Sequence, residues 1–138
     1  MADEQKCIFC RIVAGEMPCR KIYEDETVIA FLDVNPAVLG HVLIISKMHY
    51  ETIFDTDELT MRRLAGAVPK IARNMHNQLK CDITLLQNNG RHAGQIVGHI
   101  HFHLIPRKEG DGIHLSHQRT KFEDEEMDQI MKRLYMEK

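Results

Sequence analysis

The sequence predicts an α+β fold: a mainly antiparallel sheet of about five strands, one long helix and short terminal helices. Short strand-like segments, separated by turn residues, are bunched before and after one long amphipathic segment. Strands of a parallel sheet would instead alternate with helices. The 138 residues also fit one domain, at about 150 residues per domain. We therefore expect a single domain over residues 1–138, with a core at about 7–107 and a helix-bearing tail at 108–138.

Composition excludes several classes of protein. Hydrophobic residues at 43% and charged residues at 28% are close to the soluble globular average. A net charge of −2 without a basic run argues against a nucleic-acid duplex or a membrane surface as partner. Apolar runs such as residues 42–45 are far shorter than the roughly 20 residues of a membrane span, and residues 1–6 lack the apolar core of a secretory signal. We expect a cytoplasmic protein whose four cysteines are reduced or bind metal.

The first part of the chain predicts one short helix and three strands. The segment from Ile8 to Ala14 stops at Gly15, and glycine after an apolar turn is typical of a helix end. Turn residues then separate three strand-like segments, which we expect to form an antiparallel meander: Arg20–Tyr23, Val28–Asp33 and His41–Ser46.

A long helix is predicted next, from an N-cap at Asp57 to about Leu79. Pro69 lies inside it and removes a backbone hydrogen bond, so we expect a kink or a helix in two pieces. Apolar residues recur at steps of three and four, which predicts one face packed on the sheet: Met61, Leu64, Ala65, Val68, Ile71, Ala72, Met75 and Leu79.

The remaining segments predict two strands and a closing helix. Asp82–Gln87 and Gly98–Pro106 are strand-like and are joined by a polar, glycine-bearing loop at residues 88–95. Glu123–Tyr135 has the pattern of an amphipathic helix. The chain has no glycine-rich Rossmann or P-loop pattern, so phosphate recognition requires another device.

Three histidines alternate with apolar residues in the last predicted strand. Side chains two apart in a strand share a face, about 6.6 Å apart, so His99, His101 and His103 are expected on one surface. A neutral imidazole can bind a metal, as in a zinc hydrolase, or attack phosphorus as a nucleophile. The amide side chains and glycines of the loop at 88–95 suit an anionic phosphate better than a buried cation.

These residues resemble the histidine-triad (HIT) family of nucleotide hydrolases and transferases, and most closely its small Hit/Hint branch. The resemblance covers most of the chain: Cys7-Ile8-Phe9-Cys10, residues 31–36, Gly40-His41, residues 44–47, Gly94-Gln95, residues 99–105 and Pro106-Arg107. It implies an antiparallel sheet with flanking helices, a homodimer, and hydrolysis of purine nucleotide phosphoramidates derived from AMP or GMP.

The resemblance also implies roles for single residues. His101 would attack the α-phosphorus, and His103 would bind a non-bridging phosphate oxygen. Asp33 would accept hydrogen bonds from the ribose hydroxyls, although an Asp before Asn35-Pro36 is also typical of a turn. Phosphate and leaving-group contacts are implied for Asn88, Gly94 and Gln95, and a base pocket for Ile8, Phe9, Phe31, Leu32 and Val34.

Two departures from the family pattern concern the leaving group. Ile96 stands where several members carry Ser or Thr, so only its backbone N–H could serve the phosphate. The chain has no Trp, and it ends in residues 123–138 rather than in the short aromatic tail of the Hint proteins. The preferred leaving group is therefore left open by the sequence.

Cys7 and Cys10 have the spacing of half a zinc site. The resemblance implies His49 and His99 as the other two ligands of a closed structural Cys₂His₂ zinc centre, which leaves His101 free for chemistry without a catalytic metal. Inert reduced cysteines are the alternative. No role is predicted for the other cysteines and histidines singled out: Cys19, Cys81, His76, His92, His114 and His117.

Three functions are compatible with these residues. The leading hypothesis is a purine nucleoside 5′-phosphoramidate hydrolase that forms a nucleotidyl intermediate on His101. A dinucleoside polyphosphate hydrolase of the same family is the second. The third is a nucleotide-binding scaffold protein with little turnover.

Overall fold

The structure is a computed structural model that describes residues 6–115 and 119–137. His117 and most of the segment at 1–6 lie outside these residues. The elements follow the predicted order: α1 Ile8–Val13, β1 Lys21–Glu24, β2 Val28–Leu32, β3 Val42–Ser46, α2 Glu58–Leu79, β4 Asp82–Leu86, a 3₁₀ turn Arg91–Ala93, β5 His101–Arg107 and α3 Asp124–Leu134. In the described ranges, no helix is long and apolar enough to cross a membrane.

The five strands form one sheet in the order β1-β2-β3-β5-β4, and every neighbouring pair is antiparallel. The predicted α+β class and the meander of β1, β2 and β3 are therefore confirmed. The strand that carries His101 and His103 lies between β3 and β4, so these histidines stand on an inner strand.

Helix α2 packs on one face of the sheet. The Asp57 carboxylate caps its first turn by accepting the Thr60 N–H at 3.4 Å. Core residues from β2, β3 and β5, and Ile100 just before β5, form one cluster with the buried residues of the helix: Val28, Ala30, Val42, Ile44, Ile100 and Leu104 with Leu64, Ala67, Ile71 and Met75. The predicted stripe is right in register but wrong at two positions, since Ala65 is exposed and Leu79 is 39% exposed.

Of the two outcomes predicted at Pro69, a kink or a helix in two pieces, the second is wrong, because α2 is continuous from Glu58 to Leu79. Pro69 and Ala65 both lie on the exposed side of the helix. The Ala65 carbonyl, which loses the N–H that proline lacks, can therefore be hydrogen-bonded by water.

The opposite face of the sheet carries a second apolar cluster. Successive strand residues point to opposite faces, so this cluster takes the alternate positions of the same strands: Ile29, Phe31, Leu43 and Ile45, together with Phe9 from α1. Because α1 has only six residues, it covers part of this face and leaves a cavity beside β5.

Strand β5 begins three residues later than predicted, at His101 rather than Gly98. The Ile100 N–H donates to the Tyr50 carbonyl at 2.7 Å, and His99 Nε2 lies 2.7 Å from the Ser46 carbonyl. These residues bond to the end of β3 and to Tyr50 after it, instead of extending the ladder. His99 therefore stands in a bend just before the strand.

Candidate active site and metal centre

A cavity of about 450 Å³ opens on the α1 face of the sheet. His101 and His103 of β5 and Asp33 at the end of β2 line it. The predicted apolar residues are also brought together there, with Gly94: Ile8, Phe9, Phe31, Leu32, Val34 and Ile96. Asn88 and Gln95 do not line this cavity.

The proton positions on His101 follow from its hydrogen bond. Its Nδ1 lies 2.6 Å from the His99 carbonyl oxygen, and since a carbonyl only accepts, Nδ1 carries the proton. Burial lowers the pKa of His101, against smaller effects of its bond to the His99 carbonyl and of Asp33 that raise it. The neutral ring thus holds an unshared electron pair on Nε2, which is the form that a nucleophile requires.

His103 takes the opposite tautomer through His41. The Ala37 N–H donates to His41 Nδ1 at 3.0 Å, so a neutral His41 carries its proton on Nε2. That Nε2 lies 2.9 Å from His103 Nδ1 and donates to it, which leaves the proton of His103 on Nε2. Burial, and secondly its histidine neighbours, lower the pKa of His103 to about 4. His103 is therefore a neutral hydrogen-bond donor beside the unshared electron pair of His101.

His41 belongs to the family motif, but the sequence alone indicates no role for it. The signal that could have found it is register: Leu43 pairs with His103, and His41 lies two residues before Leu43 on the same face. Burial lowers the pKa of His41, partly offset by Asp33, whose Oδ2 is 3.7 Å from His41 Nε2.

Asp33 is placed both to form the turn before Pro36 and to face a ligand in the cavity, the two roles that the sequence left open. Its Oδ1 accepts the Asn35 N–H at 2.9 Å, which is the turn expected before Pro36. Its side chain also lines the cavity and is 17% exposed. One carboxylate oxygen therefore holds the turn while the other can accept a further hydrogen bond.

Gln95 braces the loop that precedes β5. Its Oε1 accepts the Gly90 N–H at 2.7 Å, and its Nε2 donates to the carbonyls of Glu51 at 2.7 Å and Val97 at 3.0 Å. Its own backbone N–H donates to Gly90 O at 3.1 Å. In this structure every donor of Gln95 is used inside the protein, so its role here is to position the loop.

Ile96 lines the cavity and offers it an unpaired backbone N–H. Within residues 6–115 and 119–137 its backbone N–H has no hydrogen-bond partner, whereas Gly94 N–H donates to Arg91 O. The Ile96 side chain is 94% exposed. Asn88 supports the same loop by donating from Nδ2 to Gly94 O at 3.5 Å.

Next to this cavity, Cys7, Cys10, His49 and His99 bring their ligand atoms within 4.8 Å of one another. His99 Nδ1 lies 3.4 Å from Cys7 Sγ and 3.1 Å from His49 Nδ1, and Cys10 Sγ lies 3.2 Å from His49 Nδ1. A tetrahedron with zinc–nitrogen and zinc–sulfur bonds of about 2.1 and 2.3 Å has edges of about 3.3–3.8 Å, close to these distances.

The protonation of His99 favours a cation at this cluster. Its Nε2 donates to the Ser46 carbonyl, so its Nδ1 directs a lone pair toward the thiols and His49. Burial lowers the pKa of His99 to about 4, so this nitrogen is unprotonated near neutral pH. A ligand nitrogen held this way by a second hydrogen bond is typical of zinc sites. The residues therefore fit zinc.

A second group, Asp33, His41 and His103, is also compact enough for a metal. The hydrogen bond between His41 and His103 already explains why these two side chains lie close together, so no metal is needed to explain it. The other cysteines and histidines do not join either cluster in the part of the chain that the structure describes. Cys19 lines the cavity, Cys81 is buried, and His76 Nδ1 donates to the Cys81 carbonyl at 2.7 Å.

This fold, with His101 and His103 on β5 and His99 just before that strand, defines a histidine-triad domain. The family model described as HIT domain matches residues 14–110. The chain belongs to the HIT family.

Relatives agree with this assignment. The chain is 48% identical over 112 residues to the Protein hit of Bacillus subtilis, covering 79% of this chain and 77% of that protein. It is 36% identical over 135 residues to an adenosine 5′-monophosphoramidase of Candida albicans, covering 89% and 86%. The solved structure of a Zn-bound histidine triad family protein from Mycobacterium smegmatis aligns with a TM-score of 0.77 and 35% identity, covering 94% and 93%.

Proposed function

We propose that this HIT-family hydrolase cleaves purine nucleoside 5′-phosphoramidates through a nucleotidyl intermediate on His101. The observation that carries the proposal is the pairing of opposite tautomers. The His99 carbonyl leaves His101 with a lone pair on Nε2, and His41 leaves His103 with a proton on Nε2. A nucleophile beside a neutral donor suits attack on an anionic phosphorus centre.

The reaction has two steps. The Nε2 lone pair of His101 forms a bond to phosphorus while the phosphorus–nitrogen bond of the substrate breaks, and the amine leaves with that electron pair and a proton from solvent. Water then attacks the phosphorus and displaces Nε2, giving the nucleoside monophosphate and returning His101 to its neutral form. The His103 Nε2–H and the Ile96 N–H would donate to the phosphate oxygens in both steps.

The intermediate is tested by acid quench and mass spectrometry. Protein mixed briefly with adenosine 5′-phosphoramidate is expected to gain the mass of one adenylyl group, and His101→Ala is expected to gain none. Diadenosine polyphosphates are assayed in parallel. A higher kcat/KM for them than for the phosphoramidate would favour a dinucleoside polyphosphate hydrolase. A protein that binds AMP without turning over either substrate would contradict the enzyme and favour the scaffold.

We further propose that Asp33 selects ribonucleotides over 2′-deoxy analogues. Loss of one hydroxyl would leave a half-buried carboxylate oxygen unpaired, at a cost of about 1–3 kcal/mol, or about 5- to 150-fold in kcat/KM. The measurement is kcat/KM for the two sugars in wild type and in Asp33→Asn, which can keep the turn bond to Asn35. Equal values for the two sugars in wild type, or an undiminished preference in the variant, would exclude this role.

We also propose that Cys7, Cys10, His49 and His99 hold a structural zinc ion. The ion would bind both Cys7 and His99, whose carbonyl orients His101. It would therefore join the N-terminal segment at α1 to the residues just before β5. When bound, it would supply structural coordination only, since the attacking atom belongs to His101.

The family resemblance supports a cytoplasmic homodimer. Light scattering coupled to size-exclusion chromatography would measure the mass in solution, for which we expect twice the 16.0 kDa of the chain. A mass of one chain at micromolar concentration would contradict the dimer.

A further inference from the structure

A second cavity, of about 460 Å³, adjoins the active-site cavity. The two share Ile8, Ile96 and Val97 as a common wall. Beyond this wall the second cavity is lined by Glu51, Lys6 and Gly98, and by Cys7 and His49 of the Cys/His cluster. The Glu51 side chain has no part in the fold or in the chemistry described above.

Glu51 is held in place by its backbone. Gln95 Nε2 donates to the Glu51 carbonyl at 2.7 Å, and the Asp55 carboxylate accepts the Glu51 N–H at 3.4 Å. The side chain lies along Gly98, where an added Cβ would stand 3.8 Å from Glu51 Oε1. Among the residues that the structure describes, no hydrogen bond or ion pair involves the Glu51 carboxylate. Its backbone is therefore fixed, while its exposed carboxylate lines the same cavity as Ile96 and Val97.

We propose that the second cavity receives the leaving amine and that Glu51 selects amines that carry an additional cationic group. This inference rests on the proposed function. A phosphoramidate has the nucleoside on one side of phosphorus and the amine on the other. With the nucleoside in the apolar cavity and the phosphate at His101 and the Ile96 N–H, the amine extends past the shared wall. There the Glu51 carboxylate attracts a cation.

Lys6 carries the opposite charge in the same cavity, yet it does not reverse this preference. Its exposed ammonium stands at the end of a four-carbon stem, whereas the Glu51 backbone is tied directly to the catalytic loop through Gln95. A zinc ion bound to two thiolates would add no net charge beside them. The expected order of leaving groups is cationic, then neutral, then anionic.

Three adenosine 5′-phosphoramidates of matched length test this order: those of 1,3-diaminopropane, butylamine and 3-aminopropanoate. In wild type we expect kcat/KM for the cationic amine to exceed that for the neutral one by about 2- to 5-fold, as for an exposed ion pair. The ratio should fall toward one in Glu51→Gln and at high salt. Glu109→Gln, an exposed glutamate beyond the other end of β5, should keep the wild-type ratio.

Binding to the His101→Ala protein separates this inference from the proposed function. Dissociation constants of the three compounds for this variant should follow the same order, and adding Glu51→Gln should remove the order. If the wild-type protein shows neither turnover nor a nucleotidyl adduct but the three compounds still bind in this order, the proposed function is wrong and the assignment of Glu51 to amine recognition is kept. If all three compounds react or bind equally, or if the anionic one is preferred, the assignment to Glu51 is overturned.

Discussion

Replacing His101 with alanine is expected to lower phosphoramidate hydrolysis by at least about 10³-fold, as when covalent catalysis is lost. The reason is the single free lone pair at the site. The Nδ1 of His101 is committed to the His99 carbonyl, and Nδ1 of His103 is committed to His41. With a proton on its Nε2, His103 cannot replace the nucleophile in its neutral form. The measurement is kcat/KM for adenosine 5′-phosphoramidate.

The fold of this variant should survive, because the His101 side chain lines a cavity. Circular dichroism and the melting temperature check that point. His114→Ala is the matched control, since His114 is exposed and has no predicted role, and His103→Ala should be milder than His101→Ala. If folded His101→Ala kept a tenth of the wild-type activity, the assignment of the nucleophile would be wrong.

Loss of the zinc site is expected to have the largest effect on stability. Purified protein should contain about one zinc per chain with four protein ligands. Structural zinc sites contribute binding free energy directly to folding, so Cys7→Ser with Cys10→Ser should remove the metal and lower the melting temperature by more than about 10 °C. The segment before β1 should also lose protection from hydrogen exchange, because the site joins Cys7 to His99 across the fold.

Catalysis should respond differently from stability. Mild chelation at a temperature where the protein stays folded should leave much of the activity, because the proposed nucleophile is His101 and not a metal-bound water. Cys19→Ser is the control: Cys19 lies outside the cluster, so zinc content should not change. Activity strictly proportional to zinc in folded protein would overturn the proposed mechanism in favour of a metallohydrolase. A metal-free protein of undiminished stability would remove the structural site.

Local patterns in the sequence predicted most of the architecture. Alternation predicted that His101 and His103 share one face of their strand, and the three- and four-residue steps predicted the buried face of α2. These predictions succeed because periodicity is a property of neighbouring residues. They failed where solvent or residues distant in the chain decide the structure. Pro69 is tolerated because its side of the helix is exposed to water. His99 and Ile100 precede the strand because they bond to Ser46 and Tyr50.

In the candidate site too, the sequence predicts some features, and contacts between distant residues decide the others. The sequence by itself determined the chemical groups available: the alternating histidines, the Cys7–Cys10 pair and the polar loop. Only the tertiary structure decided which nitrogen of each imidazole carries the proton, since that depends on partners distant in the chain. His41 and His103 are 62 residues apart, and Cys7 and His99 are 92 apart. A side chain's composition does not specify its tautomer, whereas a carbonyl or N–H placed beside it does.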